Sequence, residues 1–118
     1  MADTKNETED TKTEFEELQE QLKEIKDQEG IIGYILRDQK SASIDLKDPR
    51  RIVDYAVLSS TAFDASHEMT EFLQTGEPKK MVLESEETKL LLMNVNNHRL
   101  SLFMEKDVNH NKLYKKLK

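Results

Sequence analysis

The sequence predicts an α+β fold, built as one domain from helical and strand segments. Two observations carry this prediction. Three segments repeat their apolar residues at the helical period, and five shorter apolar segments have the length of strands. Their order is helix, two strands, long helix, three strands, helix, and the 118 residues have room for one domain of this kind.

The chain begins with a polar tail and an amphipathic helix. Residues 1–13 contain no large apolar residue after Met1, so we expect a disordered tail ahead of a single domain at 14–118. Thr13 is a suitable N-cap for the helix, and Gly30 is a suitable end. The helix has an apolar stripe with spacings of three, four and three residues: Phe15, Leu18, Leu22 and Ile25.

Two strands are predicted next. The segment IIGYIL at 31–36 is apolar at nearly every position, which is typical of a central strand covered on both faces. After a turn at 37–40, residues 41–46 alternate enough to form a short edge strand. The polar character of this strand protects that edge of the sheet.

A long helix is predicted to begin at Asp48 and Pro49. Aspartate is a favoured N-cap, and proline at the first helical position lacks only a donor that would be unpaired anyway. Gly76 and Pro78 should end this helix, which gives it about seven turns.

Three hairpin strands and a last helix complete the predicted order. Asn96 and Asn97 suit the turn between the last two strands, because asparagine tolerates the left-handed backbone that hairpin turns often need. The terminal helix is expected at 109–117. The strands are expected at 81–83, 90–95 and 100–104.

The composition bears on the class of protein. The net charge is −6, and the sequence shows no surface of clustered lysine and arginine interspersed with aromatic residues. Both observations argue against nucleic-acid binding. The absence of cysteine excludes disulfides and thiol chemistry. No leader and no apolar run of roughly 18 residues is present, so we expect a cytoplasmic protein with no integral membrane association. Three glycines form no phosphate-binding loop, and no cofactor is expected.

The segment LSSTAFDASH at 58–67 holds the residue types of a hydrolytic site. On a helix, Ser60, Asp64 and His67 share one side. Ser60 and His67 are nevertheless separated by roughly 10 Å along the axis, whereas a nucleophile and its base must approach to about 3 Å. We therefore expect no catalytic site and predict that the protein is not an enzyme. The three histidines show no metal-ligand spacing, so no metal site is expected.

The long helix carries two apolar stripes. We assign the first to the face that packs on the sheet: Tyr55, Leu58, Ala62, Ala65, Met69 and Phe72. The second lies on nearly the opposite side and indicates a seam between two helices, with scattered exposed apolar residues as the simpler alternative. The second stripe comprises Ile52, Val53, Ala56, Val57, Ser60, Phe63 and His67.

The strand Met81, Val82 and Leu83 has no proline and no inward charge. If it lies at the edge of the sheet, it is open to pairing with a second chain. A symmetric dimer would pair these strands edge to edge and place the two long helices antiparallel above them. The residues of this strand and of the second stripe are therefore the candidate dimer interface.

Two groups of basic residues have open interpretations. Arg50 and Arg51 lie in the first turn of the long helix, where positive charge opposes the helix dipole. We interpret them as solvated charge near two aspartates, with contact to an acidic partner as the alternative. The lysines at the C-terminus suit a helix end, with weak attraction to acidic lipid as the alternative.

The element order and three segments together resemble the Roadblock/dynein-light-chain domain family. The segments are IIGYIL, DPRRIVDYAVLSS and GEPKKMVLESEETKLLLMNVNNHRLSLFMEKDVN, and the resemblance runs from about Phe15 to Leu117. Gln39 departs from the family, which usually has glycine in that turn. The resemblance implies a five-stranded antiparallel sheet with the long helix on one face and the terminal helices on the other. It also implies homodimers, or heterodimers with a paralogue, whose sheet continues across the interface.

Members of this family look like non-catalytic platforms for Ras-like small GTPases. Some scaffold the GTPase, some stimulate its hydrolysis, and others link cargo to dynein. The resemblance therefore implies a dimeric adaptor or regulator that binds a Ras-like small GTPase. A small-molecule sensor with a pocket between helix and sheet is the alternative, and the scarcity of polar residues on the apolar strands counts against it.

Overall fold

The computed structural model describes residues 13–76 and 78–117. The predicted disordered tail, 1–13, lies outside the described residues except for Thr13. Within the described part, three helices and five strands follow the predicted order. Their bounds are α1 Glu14–Lys26, β1 Ile31–Arg37, β2 Ala42–Leu46, α2 Ile52–Leu73, β3 Lys80–Glu84, β4 Thr88–Val95, β5 His98–Glu105 and α3 His110–Leu117.

The five strands form one antiparallel sheet in the order β2, β1, β5, β4, β3. β5 is the middle strand, while β2 and β3 are the two edges. The fold class implied by the resemblance is therefore confirmed. The short strand β3 leaves one side of its backbone without a neighbouring strand in the described chain.

Each face of the sheet has its own apolar core. Alternate residues along the strands point to opposite faces, so Leu100, Leu102 and Met104 of β5 pack with α1 and α3, whereas Phe103 packs with α2. β1 divides its residues in the same way, with Tyr34 on one face and Ile35 on the other. The long helix thus covers one face and the terminal helices cover the other.

The helix starts follow the predicted caps. Thr13 Oγ1 accepts a hydrogen bond from the backbone N–H of Glu16 at 3.1 Å. Asp48 Oδ1 accepts one from the N–H of Arg50 at 3.2 Å, but the residues it caps, Pro49–Arg51, form a short 3₁₀ turn that leads into α2. A 3₁₀ turn is common at the N-terminus of an α-helix.

The end of α2 differs from the prediction. The helix ends at Leu73 rather than near Gly76, because Gln74 adopts a left-handed conformation with φ of 54°. The N–H of Thr75 then bonds to the carbonyl of Thr70 at 3.2 Å, which satisfies a carbonyl of the last turn. A glutamine therefore takes the capping position that is usually occupied by glycine.

Two of the tight turns of the sheet are built by asparagine and aspartate. Asn96 and Asn97 have φ of 50° and 67°, which confirms the predicted left-handed turn between β4 and β5. In the turn after β1, Asp38 Oδ1 accepts hydrogen bonds from the N–H groups of Lys40 and Ser41, at 2.8 and 2.6 Å. The intervening Gln39 is not left-handed, so this turn does not require glycine.

Candidate functional site

The long helix α2 runs antiparallel to the middle strand β5, directly above it. The rings of Tyr55 and Phe103 are 4.5 Å apart between centroids, and the hydroxyl oxygens of Ser59 and Ser101 are 2.5 Å apart. One turn further along, the guanidinium of Arg99 lies 5.4 Å from the centroid of the Phe63 ring. These three contacts fix the rotation of the helix about its axis.

The side of α2 that meets the sheet lies between the two predicted stripes. Its centre is formed by Ser59, Ala62 and Ser66, all of which are buried. Two of these three residues are serines, so a search for apolar spacing does not find this side. The flanks of the contact are partly buried and pack on the same core: Ile52, Tyr55, Ala56 and Phe63.

The predicted seam is therefore only partly available to a second chain. Ile52, Ala56 and Phe63 pack into the core of their own subunit, so the prediction that their stripe faces away from the sheet is wrong for these three residues. Val53 and Val57 do face solvent, with 72% and 61% of their surface exposed.

The predicted core stripe is also corrected. Tyr55 and Ala62 contact the sheet as expected, but the other four members of that stripe are exposed. The four exposed residues all lie on one side of α2, because the last three follow the first by seven, eleven and fourteen positions. They are Leu58, Ala65, Met69 and Phe72.

This exposed apolar stripe lies on the side of α2 that faces the free edge of the sheet. Leu58 of α2 and Leu83 of β3 line a common cavity of about 170 Å³. Both side chains are more than two-fifths exposed. We define the edge surface as β3 together with this stripe, Leu58, Ala65, Met69 and Phe72.

The three strand residues predicted at the interface have different positions within β3. Met81 is partly buried on the face covered by α2, and Val82 is partly buried on the face covered by α1 and α3. Leu83 points toward the α2 face and remains 42% exposed. The apolar side chains of β3 are thus partly covered by their own subunit, and the rest of their surface is accessible to a second chain.

The last turns of α2 extend past the end of the sheet. Phe63 lies above Arg99, which is the second residue of β5, while ten further residues of α2 follow Phe63. At about 1.5 Å per residue this is roughly 15 Å of helix. Phe72 lies in this part and is 86% exposed, which is unusual for a phenylalanine in a folded domain.

The polar members of the predicted seam bond within the subunit. Ser60 Oγ accepts a hydrogen bond from a guanidinium nitrogen of Arg37 at 2.9 Å, so this side of α2 faces β1 rather than the β3 edge. His67 Nε2 lies 3.7 Å from a carboxylate oxygen of Glu71, one turn away. Ser60 and His67, two of the residues considered for a hydrolytic site, therefore contact Arg37 and Glu71 respectively.

Arg50 and Arg51 also have partners close by. The Nε of Arg50 lies 2.9 Å from Asp48 Oδ1, and that guanidinium lowers the pKa of the Asp48 carboxyl. The Nε of Arg51 lies 3.7 Å from Asp54 Oδ2, and its guanidinium carbon lies 5.3 Å from the Tyr55 ring centroid. Both arginine side chains are exposed, so these ion pairs contribute little to stability.

Two cavities bear on small-molecule binding. The cavity at Leu58 is smaller than the roughly 300 Å³ that is typical of ligand pockets. A larger open cleft of about 980 Å³ lies at the end of the sheet near Phe63 and Arg99.

The described residues also bear on metal binding and on membrane insertion. Across residues 13–76 and 78–117, no group of three or more acidic or histidine side chains lies close enough together to hold a metal ion. No helix in those ranges is long and apolar enough to cross a bilayer.

The family follows from comparison with known domains. The model of the Roadblock/LC7 domain matches residues 17–100. The chain belongs to the Roadblock/LC7 family. No curated protein matches the chain.

Solved structures of low sequence identity share the Roadblock/LC7 fold with this chain. A Roadblock/LC7 domain from Streptomyces avermitilis superposes with a TM-score of 0.59 at 15% identity, over 75% of this chain and 77% of that one. The gliding protein MglB from Thermus thermophilus gives 0.64 at 19% identity, over 90% and 85%. A structure of MglB with a tetrameric arrangement gives 0.65 at 19% identity, with the same coverage.

Proposed function

We propose that this Roadblock/LC7 protein forms a dimer through the edge surface and acts as a non-catalytic adaptor for a Ras-like small GTPase. The observation that carries the proposal is the coincidence of a free strand edge with an exposed apolar stripe on the helix beside it. The family membership and the MglB-like fold support it.

The two parts of the edge surface complement each other. An unpaired strand edge offers backbone donors and acceptors to a second strand, and an identical strand satisfies them in antiparallel pairing. The adjacent stripe, from Leu58 to Phe72, then meets its own copy across the twofold axis. Apolar surface that is exposed in one subunit becomes buried in the pair, which favours association.

The length of α2 gives this contact a sufficient size. Its 22 residues span about 33 Å. A stable interface buries at least about 1,000 Å² in total. We expect two such helices packed along their stripes, together with paired β3 strands, to reach that range. Of the residues predicted at the interface, we retain Met81, Val82 and Leu83 and add the exposed stripe.

The GTPase is proposed to bind a different side of α2. Val53 and Val57 point away from both the sheet and the β3 edge, so they remain exposed when the edge surface pairs. Arg50 and Arg51 lie just before them and are solvent-exposed. Apolar residues bordered by arginines are typical of contact surfaces between proteins. Each dimer therefore presents this surface twice.

The GTPase component is tested with the small Ras-like GTPases of the source organism. Each is purified, loaded with GDP or with a non-hydrolysable GTP analogue, and titrated with the full chain in biolayer interferometry. We expect one GTPase to bind and Val57→Asp to weaken that binding about tenfold or more. Ile44→Asp, on the opposite edge strand, is the matched control and should leave it unchanged. Binding by none of the GTPases, or equal loss in both variants, contradicts this component.

A further inference from the structure

The large open cleft takes no part in the proposed dimer or GTPase contacts. It lies at the end of the sheet where β1 ends and β5 begins, on the face that α2 covers. Arg37 and Arg99 line it, with Asn94 and Lys79 on the side toward β3. The chain as a whole carries a charge of −6, so two arginines in one cleft stand out from their surroundings.

The two arginines occupy opposed positions on neighbouring strands. Arg37 of β1 pairs in register with Arg99 of β5, and Asn94 of β4 is the next residue in the same row. Like charges directly opposite each other destabilise a sheet. Among the described residues, neither arginine has a carboxylate within ion-pair distance. Within the described residues, the pair therefore has no direct ion pair with an acid to offset this repulsion.

Both side chains are held in the cleft. Arg37 donates a hydrogen bond to Ser60 Oγ at 2.9 Å, and the guanidinium of Arg99 lies 5.4 Å from the centroid of the Phe63 ring. These contacts use one donor of Arg37 and the ring-facing surface of Arg99, leaving other N–H groups free to bond. A guanidinium that is already oriented loses less rotamer entropy when it binds a carboxylate.

Two carboxylates border the arginine pair and narrow the choice of ligand. Asp38 lines one end of the cleft, and Asp64 of α2 lies above it. Asp38 is engaged with the N–H groups of its own turn, which lower the pKa of its carboxyl. These acids repel a ligand with dense negative charge, such as a nucleic acid. They attract positive charge on either side of a central acidic group.

We propose that this cleft binds a short segment of a partner protein in which an acidic residue is flanked by lysine or arginine. The acidic side chain meets Arg37 and Arg99, and the flanking basic residues meet Asp38 and Asp64. Bidentate pairing between arginine and carboxylate is among the stronger polar contacts in proteins. The side-chain amides of Asn94 and Asn97 line the same cleft and match the polar groups of a peptide backbone.

The test uses a synthetic peptide and the full chain labelled with ¹⁵N. The probe has the sequence GKGEEGKG, and its matched control is GKGQQGKG. Addition of the acidic probe at millimolar concentration should shift the backbone amide signals of Arg37, Ser60 and Arg99 most strongly. The control peptide should bind about tenfold more weakly, because it lacks the carboxylates that the arginines pair with.

Variants assign the binding to the arginine pair. The double variant Arg37→Gln, Arg99→Gln should weaken binding of the acidic probe by about tenfold or more. Lys115→Gln, Lys116→Gln removes the same charge from α3 and should change binding less than about twofold. If the glutamine pair does not fold, Arg37→Lys, Arg99→Lys keeps the charge but removes the planar fork. Binding should then weaken by about threefold or more.

Several results would overturn the proposal. The first is the absence of shifts at Arg37 and Arg99 with the acidic probe. The second is equal weakening in the α3 lysine variant. The third is tighter binding of an eight-nucleotide single-stranded DNA through the same two arginines, which would assign the cleft to nucleic acid instead.

Discussion

The hydroxyl oxygens of Ser59 and Ser101 lie 2.5 Å apart at the centre of the contact between α2 and the sheet. Both side chains are buried, so each hydroxyl depends on the other for its hydrogen bond in the described structure. The pair brings the helix close to β5 with small residues. It also sets the rotation of α2, and thereby which of its apolar residues remain exposed.

Removal of both hydroxyls of this pair should cost less than the sum of the two single removals. Ser59→Ala leaves the Ser101 hydroxyl buried without a partner, which should lower the free energy of unfolding by about 1 to 2 kcal/mol. The double variant Ser59→Ala, Ser101→Ala should lose less than the sum of the two single variants. Urea denaturation of the four proteins measures this cycle. Strictly additive losses would show that the two hydroxyls do not depend on each other.

Phe63 is predicted to support the fold of its own subunit. Phe63→Asp replaces a partly buried ring that packs on the core with a carboxylate near the Arg99 guanidinium, so the free energy of unfolding should fall by about 1 to 3 kcal/mol. Val57→Asp introduces the same group on the exposed side of α2 and should cost less than about 1 kcal/mol. Thermal unfolding followed by circular dichroism compares the two. A stably folded Phe63→Asp protein that is only monomeric would restore the seam predicted from the sequence.

Gln74 offers a stabilising substitution. Its φ of 54° is unfavourable for a residue with a side chain, so Gln74→Gly should raise the free energy of unfolding by about 0.5 to 1 kcal/mol. Gln39→Gly is the matched control. Gln39 is not left-handed, so its replacement by glycine should give no gain in stability. A gain at position 39 that equals the gain at position 74 would contradict the observed turn geometry.

The contact between Lys89 and His110 should make stability depend on pH. Lys89 Nζ lies 3.0 Å from Nδ1 of His110, which must be unprotonated to accept this hydrogen bond. Burial first, and then the charge of Lys89, lower the pKa of His110 below 6.5, while Glu84 raises it and Lys80 lowers it further.

Because the folded protein holds His110 with the lower pKa, the unfolded chain binds more protons as the solution is acidified. The stability contribution of neutral His110 is complete above about pH 6.5 and is lost as the pH falls below that value. Urea denaturation between roughly pH 7.5 and pH 5.5 should therefore show a smaller loss of stability in His110→Gln than in the original protein. An equal loss would contradict this role of His110.

The positions of the strands and helices could largely be predicted from the sequence. The apolar segments at β1, β4 and β5 predict buried strands. Helix starts and the last hairpin turn are predicted by residues with a local preference for them: Thr13, Asp48, Asn96 and Asn97. These signals depend only on residues close in sequence, so they can be recognised without knowledge of the tertiary contacts.

The rotation of α2 could not be predicted in the same way. Its sheet-facing side is centred on Ser59 and Ser66, and buried serines carry no apolar signal. The side that contacts the sheet lies between the two apolar stripes. The rotation of α2 about its axis that the stripes predict is therefore wrong by part of a turn. The basic cleft was also missed, because Arg37 and Arg99 are far apart in sequence and meet only through strand register.

Sedimentation equilibrium at micromolar concentration tests the central claim, that the free β3 edge and the exposed stripe beside it form a dimer interface. The original chain should be a dimer, Leu83→Asp and Leu58→Asp should be folded monomers by circular dichroism, and Val53→Asp should remain a dimer. A monomeric original chain would contradict the claim. So would a Val53→Asp monomer alongside a Leu83→Asp dimer, since that pattern places the interface on the other side of α2.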